Sequence, residues 1–345
     1  MRKLASIQEI VDIRPIEGAD KIECATVLGW ETVVKVGEFK VGDKCVFFEI
    51  DALLPNEDRY SFLGEPRKEY NGYRLKTVKL RGKISQGLAL PLSEYDLPQN
   101  IEIDTDLTDT LTIGKYEPPA PQEEGAKQSD KVWEISKTDE TRYQSAPRLL
   151  TEIQGKSYYG SVKLDGTSMT VILNINENGE PEVNVCGRNI CYMESEHNKY
   201  WAIVHKYDLK NKILDHYAKT GERLAFQGEL CGPKIQGNKL GLKENDWFVF
   251  NVFEANGQEE FTPAIFPVAL STTRLFGMDF VPVAYIGETY DYKKEDLQGL
   301  TNIKYNKYFP GADPKQNIEG IVFRTTDMSV SFKVISNEFL LKGGE

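Results

Sequence analysis

Histidine is scarce in this chain of 345 residues: three occur, against 42 lysines and arginines and 53 aspartates and glutamates. The five cysteines, Cys24, Cys45, Cys186, Cys191 and Cys231, form no CxxC pair. A zinc site of ordinary ligand spacing is therefore not visible, and free thiols in a reducing compartment are the expectation. No apolar run approaches the length of a membrane span, and MRKLASIQEI lacks the apolar stretch of a signal peptide. The expected protein is neither membrane-bound nor secreted, and works as a monomer in the cytoplasm, or in the nucleus of a eukaryote. Net positive charge is lacking too, the formal balance being −11. That argues against a nucleic-acid partner only where charge is evenly spread. Here Arg67, Lys68, Arg74, Lys76, Lys79, Arg81 and Lys83 stand against the single acid Glu69, while residues 101–130 are strongly acidic. A phosphate-binding surface needs a local field, not a basic protein.

What is present suggests two domains. Hydrophobic residues make up 40% of the chain and aromatics 11%, enough for substantial cores. Residues 1–110 read as short strands. Residues 25–28 and 31–36 flank Gly29-Trp30, and Gly42-Asp43 is a turn signal before residues 45–50. Tyr73 to Leu80 alternates with period two, with a bulge or twist expected near Thr77. Short strands between glycine turns predict an all-β barrel of the OB type. Residues 111–130, with three prolines and two glycines in TIGKYEPPAPQEEGAKQSD, read as a linker. Residues 131–345 read as an α+β domain built on antiparallel sheets. Its strand-like runs are 160–163, 169–173 and 247–253, and helices are expected at 197–210 and 264–275.

Chemistry concentrates in four segments whose order matters. Lys163-Leu164-Asp165-Gly166-Thr167 puts a lysine where a strand gives way to a turn. An amine attacks phosphorus only when unprotonated, so such a lysine needs desolvation or a neighbouring cation. The glycine permits close backbone approach. Alone, Lys-x-Asp-Gly arises in about 4% of chains this long, taking each fixed residue as roughly one in 20, so it decides nothing by itself. Phe226-Gln227-Gly228-Glu229 follows, then the aromatic strand 247–254, then Ile318-Glu319-Gly320 with Ser331-Phe332-Lys333. Singly, Glu229 and Glu319 are more often solvated turn acids. Together with Asp165 they form a carboxylate set suited to holding Mg²⁺ through water. Lys333 could offset charge developing on a phosphate.

The ordered set KLDG, CGRN, FQGE, WFVFNVF, EGIVFR and SFKV resembles the covalent nucleotidyltransferases: ATP-dependent DNA and RNA ligases and mRNA capping enzymes. The likeness is greatest to RNA ligases with an N-terminal OB domain and a C-terminal nucleotidyltransferase domain, and it covers nearly the whole chain. The resemblance implies ATP as substrate, Mg²⁺ or Mn²⁺ as metal, and nicked RNA duplex or RNA ends with a 5′-phosphate as partner. It implies a lysyl–AMP bond on Lys163, with Asp165, Glu229 and Glu319 at the metal. It gives Lys333 the α-phosphate and Arg188 the ribose or the RNA end. Phe250 would stack on adenine, with Phe248 as competitor. Val162 and Gly166 would line the nucleotide, and Arg142 would bind phosphate. Lys76, Lys79, Arg81 and Lys83 would grip the nucleic acid. Two alternatives use the same lysine: a capping-type guanylyltransferase and an ATP-dependent DNA ligase. In both of those the OB domain usually follows the catalytic one, the reverse of the order here. Many relatives also carry a Lys-x-Lys pair in the last motif, whereas Lys333 is flanked by Ser331 and Ile335.

Overall fold

The computed structural model describes residues 3–98, 100–116, 128–129, 135, 139–257 and 259–342. They fall into two compact units. One takes in the described residues of Met1–Ala120, Arg142–Arg148 and Asn337–Glu345; the other takes in those of Pro121–Thr141 and Leu149–Ser336.

The first unit is the expected small OB-type barrel. Its main sheet runs β3 (Trp30–Lys35), β2 (Ile22–Val27), β1 (Ala5–Pro15), β4 (Lys44–Phe48) and β9 (Leu88–Pro91), all antiparallel. Alternation works as the sequence implies: Trp30, Thr32 and Val34 of β3 are buried while Glu31, Val33 and Lys35 face outward. A second sheet joins β10 (Gly114–Lys115), β5 (Ala52–Pro55) and β6 (Gly72–Arg74). The core includes Ile7, Val46, Phe48, Leu54, Tyr60 and Leu107.

Two expectations are refined here. The run Tyr73–Leu80 is not one strand but two, β6 and β7 (Val78–Leu80). Leu75 closes the first by exchanging backbone bonds with Ala52 and Asp51. Buried Thr77 then accepts from Gln86 Nε2 at 3.2 Å. From there β7 turns away to pair with β8 (Lys83–Ser85). Arg81 and Gly82 between them have φ of 47° and 83°, as a two-residue hairpin turn requires. The start of the expected linker is also structured: Ile113 is buried and Gly114–Lys115 pair with Leu53 and Ala52. Residues 117–127 and 130 of that linker lie outside the described residues.

The second unit is α+β. Its large sheet runs β11 (Gln128–Ser129), β15 (Cys191–Tyr192), β14 (Pro181–Cys186), β13 (Thr167–Ile175), β16 (Glu222–Cys231), β17 (Asp246–Asn256) and β18 (Thr262–Pro263). β19 (Asp279–Phe280) joins β17 as its one parallel pair. A four-stranded antiparallel sheet runs β20 (Val283–Gly287), β12 (Tyr158–Lys163), β21 (Gly320–Thr325) and β22 (Ser331–Ile335). Helix α5 (Leu297–Leu300) also belongs to this unit, whereas α6 (Asn337–Leu341) belongs to the first and α1 (Arg148–Glu152) begins at the division between them. The helix expected over 197–210 resolves into α2 (Lys199–Lys206) and α3 (Leu209–Thr220), broken at Asp208 with φ 52°. The Asn198 side chain accepts from the backbone N–H of Tyr200 and Trp201, which is why α2 begins there. Helix α4 (Phe266–Leu275) lies inside the expected range and carries Pro267 in its first turn. Trp201, Val204, Ile213 and Phe276 pack with Met169, Phe226, Trp247 and Val249 in one core.

The expectation of free thiols fails at two positions. Cys186 and Cys191 are direct partners across β14 and β15, their Cα atoms 3.9 Å apart, and they form a disulfide. Cys24, Cys45 and Cys231 are free and buried. Among the described residues no helix is long and apolar enough to cross a membrane.

Candidate active site

Lys163 is the last residue of β12 and pairs directly with Gly320 on β21, which in turn pairs with Ile335 on β22. Ser161, Val322 and Lys333 make the parallel row two residues away. Partners across antiparallel strands share a face, as do residues two apart on one strand. Lys163 and Lys333 therefore project from the same face of the sheet. Val162 points to the other face and is buried.

The nucleophile candidate is held from several sides. Lys163 Nζ is ion-paired with Glu319, whose side chain is 3% exposed. The hydroxyl of fully buried Tyr305 donates to the carbonyl of Lys163 at 3.2 Å. The same oxygen accepts from the backbone N–H of Asp165 at 3.2 Å and of Glu319 at 3.3 Å. One phenol thus ties together three positions singled out from the sequence. Burial carries its pKa well above the ordinary tyrosine value, with Glu319 and Asp165 pushing the same way, so it keeps its proton as a donor. Nothing in the local sequence announces Tyr305, which lies 142 residues beyond the lysine.

Gly166 is required, but for a reason other than ligand approach. A Cβ there would sit 2.5 Å from the carbonyl of Leu230 and 2.9 Å from Cγ of Glu229. With no side chain, its N–H donates to Glu229 Oε1 at 3.1 Å. That glutamate feels burial first, which raises its pKa. Lys163 opposes the rise, Asp165 adds to it, and the Gly166 N–H and Arg188 lower it; the carboxyl ends at about 7. Asp165 is itself ion-paired with Lys239, a lysine not singled out from the sequence. Asp165, Glu229 and Glu319, with Lys163 and Lys239, therefore make one cluster.

Two comparisons bear on this geometry. The OB-fold domain family matches residues 4–92, and the RNA ligase family matches residues 156–335. The chain belongs to the RNA ligase family. Among solved structures, Naegleria gruberi RNA ligase with pyrophosphate is 32% identical, with 99% of each chain covered and a TM-score of 0.86. A substituted form of that ligase with AMP and manganese gives the same identity, coverage and TM-score. Another, with ATP and manganese, gives 32% identity and a TM-score of 0.85. No curated protein matches the chain.

In this ligase the donor set suits a hard cation. All the candidate ligands are carboxylate oxygens, and burial above all, with Asp165 adding to it, holds the Glu229 carboxyl above its ordinary range. Among the described residues, no three His, Cys, Asp or Glu side chains converge closely enough to ligate an ion directly. Contact through the ion's own water shell is the mode that fits.

The remaining candidates are placed as follows. Lys333 is 9% exposed and pairs with Asp139 at 3.4 Å, while its N–H donates to Thr141. Near it, partial burial of Glu140 raises its pKa, but Arg324, the Ser331 hydroxyl and Lys333 outweigh that and leave it lowered. Phe250 is the extra residue at a β-bulge, where Gln227 pairs with Asn251 but Gly228 with Val249. The bulge leaves Phe250 half-exposed. Phe248 is buried and packs edge-on against Phe309 at 5.3 Å. This favours Phe250 over Phe248 as a ring available for stacking. Arg188 is exposed in the hairpin loop that the Cys186–Cys191 disulfide closes.

Arg142 belongs to the first unit, where it is buried and paired with Asp51 at 3.3 Å. In the basic hairpin, Lys76, Lys79 and Arg81 are exposed, whereas Lys83 pairs with Glu31 at 3.0 Å.

Proposed function

We propose that this RNA ligase uses ATP to join a 3′-hydroxyl to a 5′-phosphate at nicks in duplex RNA, carrying AMP on Lys163. The observation that bears most weight is the Tyr305 hydroxyl gathering Lys163, Asp165 and Glu319 around one amine. The Naegleria gruberi ligase, crystallised with ATP, AMP, pyrophosphate and manganese, supports the same reading of substrate and metal.

In the first step Lys163 Nζ attacks the α-phosphorus of ATP. The bond to the bridging oxygen breaks, and pyrophosphate leaves with the electron pair. Glu319, already hydrogen-bonded to Nζ, stands where the amine's proton departs. AMP then passes to the RNA 5′-phosphate, and attack by the 3′-hydroxyl releases it. Asp165, Glu229 and Glu319 would hold Mg²⁺ or Mn²⁺, which would supply positive charge to the phosphates when bound. Lys333 meets the α-phosphate from the face it shares with Lys163. Phe250 stacks on the adenine, with Gly166 and the backbone of Val162 beside the nucleotide. Arg188 takes the ribose or the RNA end, and Arg142 a phosphate. Lys76, Lys79, Arg81 and Lys83 hold the duplex beside the nick. The enzyme would act as a monomer in the cytoplasm, or in the nucleus of a eukaryotic cell.

Incubation with α-labelled ATP and Mg²⁺ tests this. Label should move to the protein, and Lys163→Ala should abolish it. Label retained by Lys163→Ala would overturn the assignment. Preference for GTP would indicate a capping enzyme, and sealing only of DNA 3′-hydroxyl ends a DNA ligase.

A further inference from the structure

Where many relatives of the last motif carry a second lysine, this chain has Ile335. Ile335 is 2% exposed and stands in the same row as Lys163, across Gly320. No positive charge can come from that position. Another lysine reaches the cluster by a different route.

β16 ends at Cys231, just beyond Glu229, and the chain then winds through residues 232–242. Gly232, Lys234, Gln236, Gly237, Asn238 and Gly241 there all have positive φ. For the three non-glycine residues this is a costly conformation that persists only where surroundings enforce it. The enforcement is visible. Ile235 and Leu240 are buried, at 5% and 1% exposure. Asn238 brackets Leu242, donating to its carbonyl at 2.9 Å and accepting from its N–H at 3.0 Å. Gly241 lies against the backbone of Gly311 so closely that a Cβ would fall 1.9 Å from the Gly311 oxygen. This winding carries Lys239 to an ion pair with Asp165. Strain of this kind clusters at working parts of proteins.

Lys239 is 30% exposed at its side chain and Asp165 14%, so the pair is reachable from solvent and can be exchanged. A hydrated divalent cation must compete with Lys239 for Asp165, since both cannot satisfy that carboxylate without repelling one another. We propose that Lys239 is a placeholder cation: it neutralises Asp165 until the metal takes that carboxylate. The freed ammonium then faces the outer phosphates of the triphosphate, supplying the charge that Ile335 cannot. When the α-phosphorus to oxygen bond breaks, the electron pair leaves on pyrophosphate and Lys239 offsets it. Lys239 is thus a positioning residue for Asp165 and a binding residue for the leaving group. This rests on the lysyl–AMP reading of the site.

The test uses Lys163→Met protein, which binds without reacting, and follows Mn²⁺ alone and pyrophosphate alone by titration calorimetry. Adding Lys239→Met should tighten Mn²⁺ binding and weaken pyrophosphate binding, each by about tenfold. Lys239→Arg should leave both near the parent values. An unchanged or weakened Mn²⁺ affinity, or an unchanged pyrophosphate affinity, overturns the proposal. Lys239→Gln keeps a hydrogen bond to Asp165 without the charge, and repeats the test should Lys239→Met fail to fold. The parallel control is wild-type labelling by ATP. If wild type takes label and the two signs fail, only the role of Lys239 falls; if wild type takes none, the lysyl–AMP reading falls.

Discussion

The two units hold buried charge in opposite ways. In the first, the carboxylate of Asp51 receives Arg74 at 3.2 Å and Arg142 at 3.3 Å, and Arg74 also lies 3.8 Å from the centre of the Tyr116 ring. Asp51 itself sits at φ 71°. In the second, Asp165, Glu229 and Glu319 crowd around Lys163 and Lys239. One cluster leans cationic and the other anionic. In the anionic one, burial first, with Asp165 adding and Lys163 opposing, carries the Glu229 carboxyl to about 7. The contrast separates charge that completes a fold from charge kept short of a partner.

Removing the acid from the cationic cluster should cost most. Asp51→Asn would leave two guanidiniums buried without their carboxylate, lowering stability by about 3–5 kcal/mol in urea titrations. A cost below that of Glu319→Gln would break the comparison. Glu319→Gln comes next. It should slow lysyl–AMP formation about hundredfold, in line with losing one preorganised electrostatic group, while denaturation midpoints stay near wild type.

Glu229 gives a smaller effect with a definite sign. Its folded pKa, about 7, lies above the ordinary 4.5. The fold therefore binds its proton more tightly than the unfolded chain does, and stability falls as pH rises through that window. The penalty is absent below the ordinary value and complete above the folded one. Melting temperature should drop between pH 5 and pH 8 in metal-free protein, and Glu229→Gln should flatten that slope. Smallest is the exposed hairpin. Changing Lys76, Lys79 and Arg81 to alanine should weaken binding to nicked duplex and reduce its salt dependence by up to about three phosphate contacts, leaving lysyl–AMP formation intact. Equal loss of both would show instead that the hairpin supports the fold.

Much of this was legible from residue order. The strands of residues 1–110 follow from alternation and glycine turns, and the long strand around Phe248 and Phe250 from its apolar run. The carboxylates could be named because each stands beside a glycine at a strand edge. What stayed hidden depends on pairing and backbone conformation. Cys186 and Cys191 meet because β14 and β15 fix their register, which a spacing of five does not declare. Within Tyr73–Leu80 an irregularity near Thr77 was legible, but not that it separates two strands with different partners. Lys239 was passed over because its reach depends on left-handed residues that no hydrophobic pattern encodes. Tyr305 was missed because a buried phenol reads as core until its oxygen is seen among three backbone partners.

Gly241 and Gly311 carry no charge and touch no substrate, yet they set how the molecule would respond to heat. Their backbones meet with no room for a methyl group. An added methyl at either would wedge the Lys239 loop away, drawing Ile235 from the second unit's core and leaving the first unit's core intact. Gly311→Ala is thus the place to look for a temperature-sensitive ligase: one that works in the cold, stops when warmed, and resumes on cooling because nothing larger than a loop has let go.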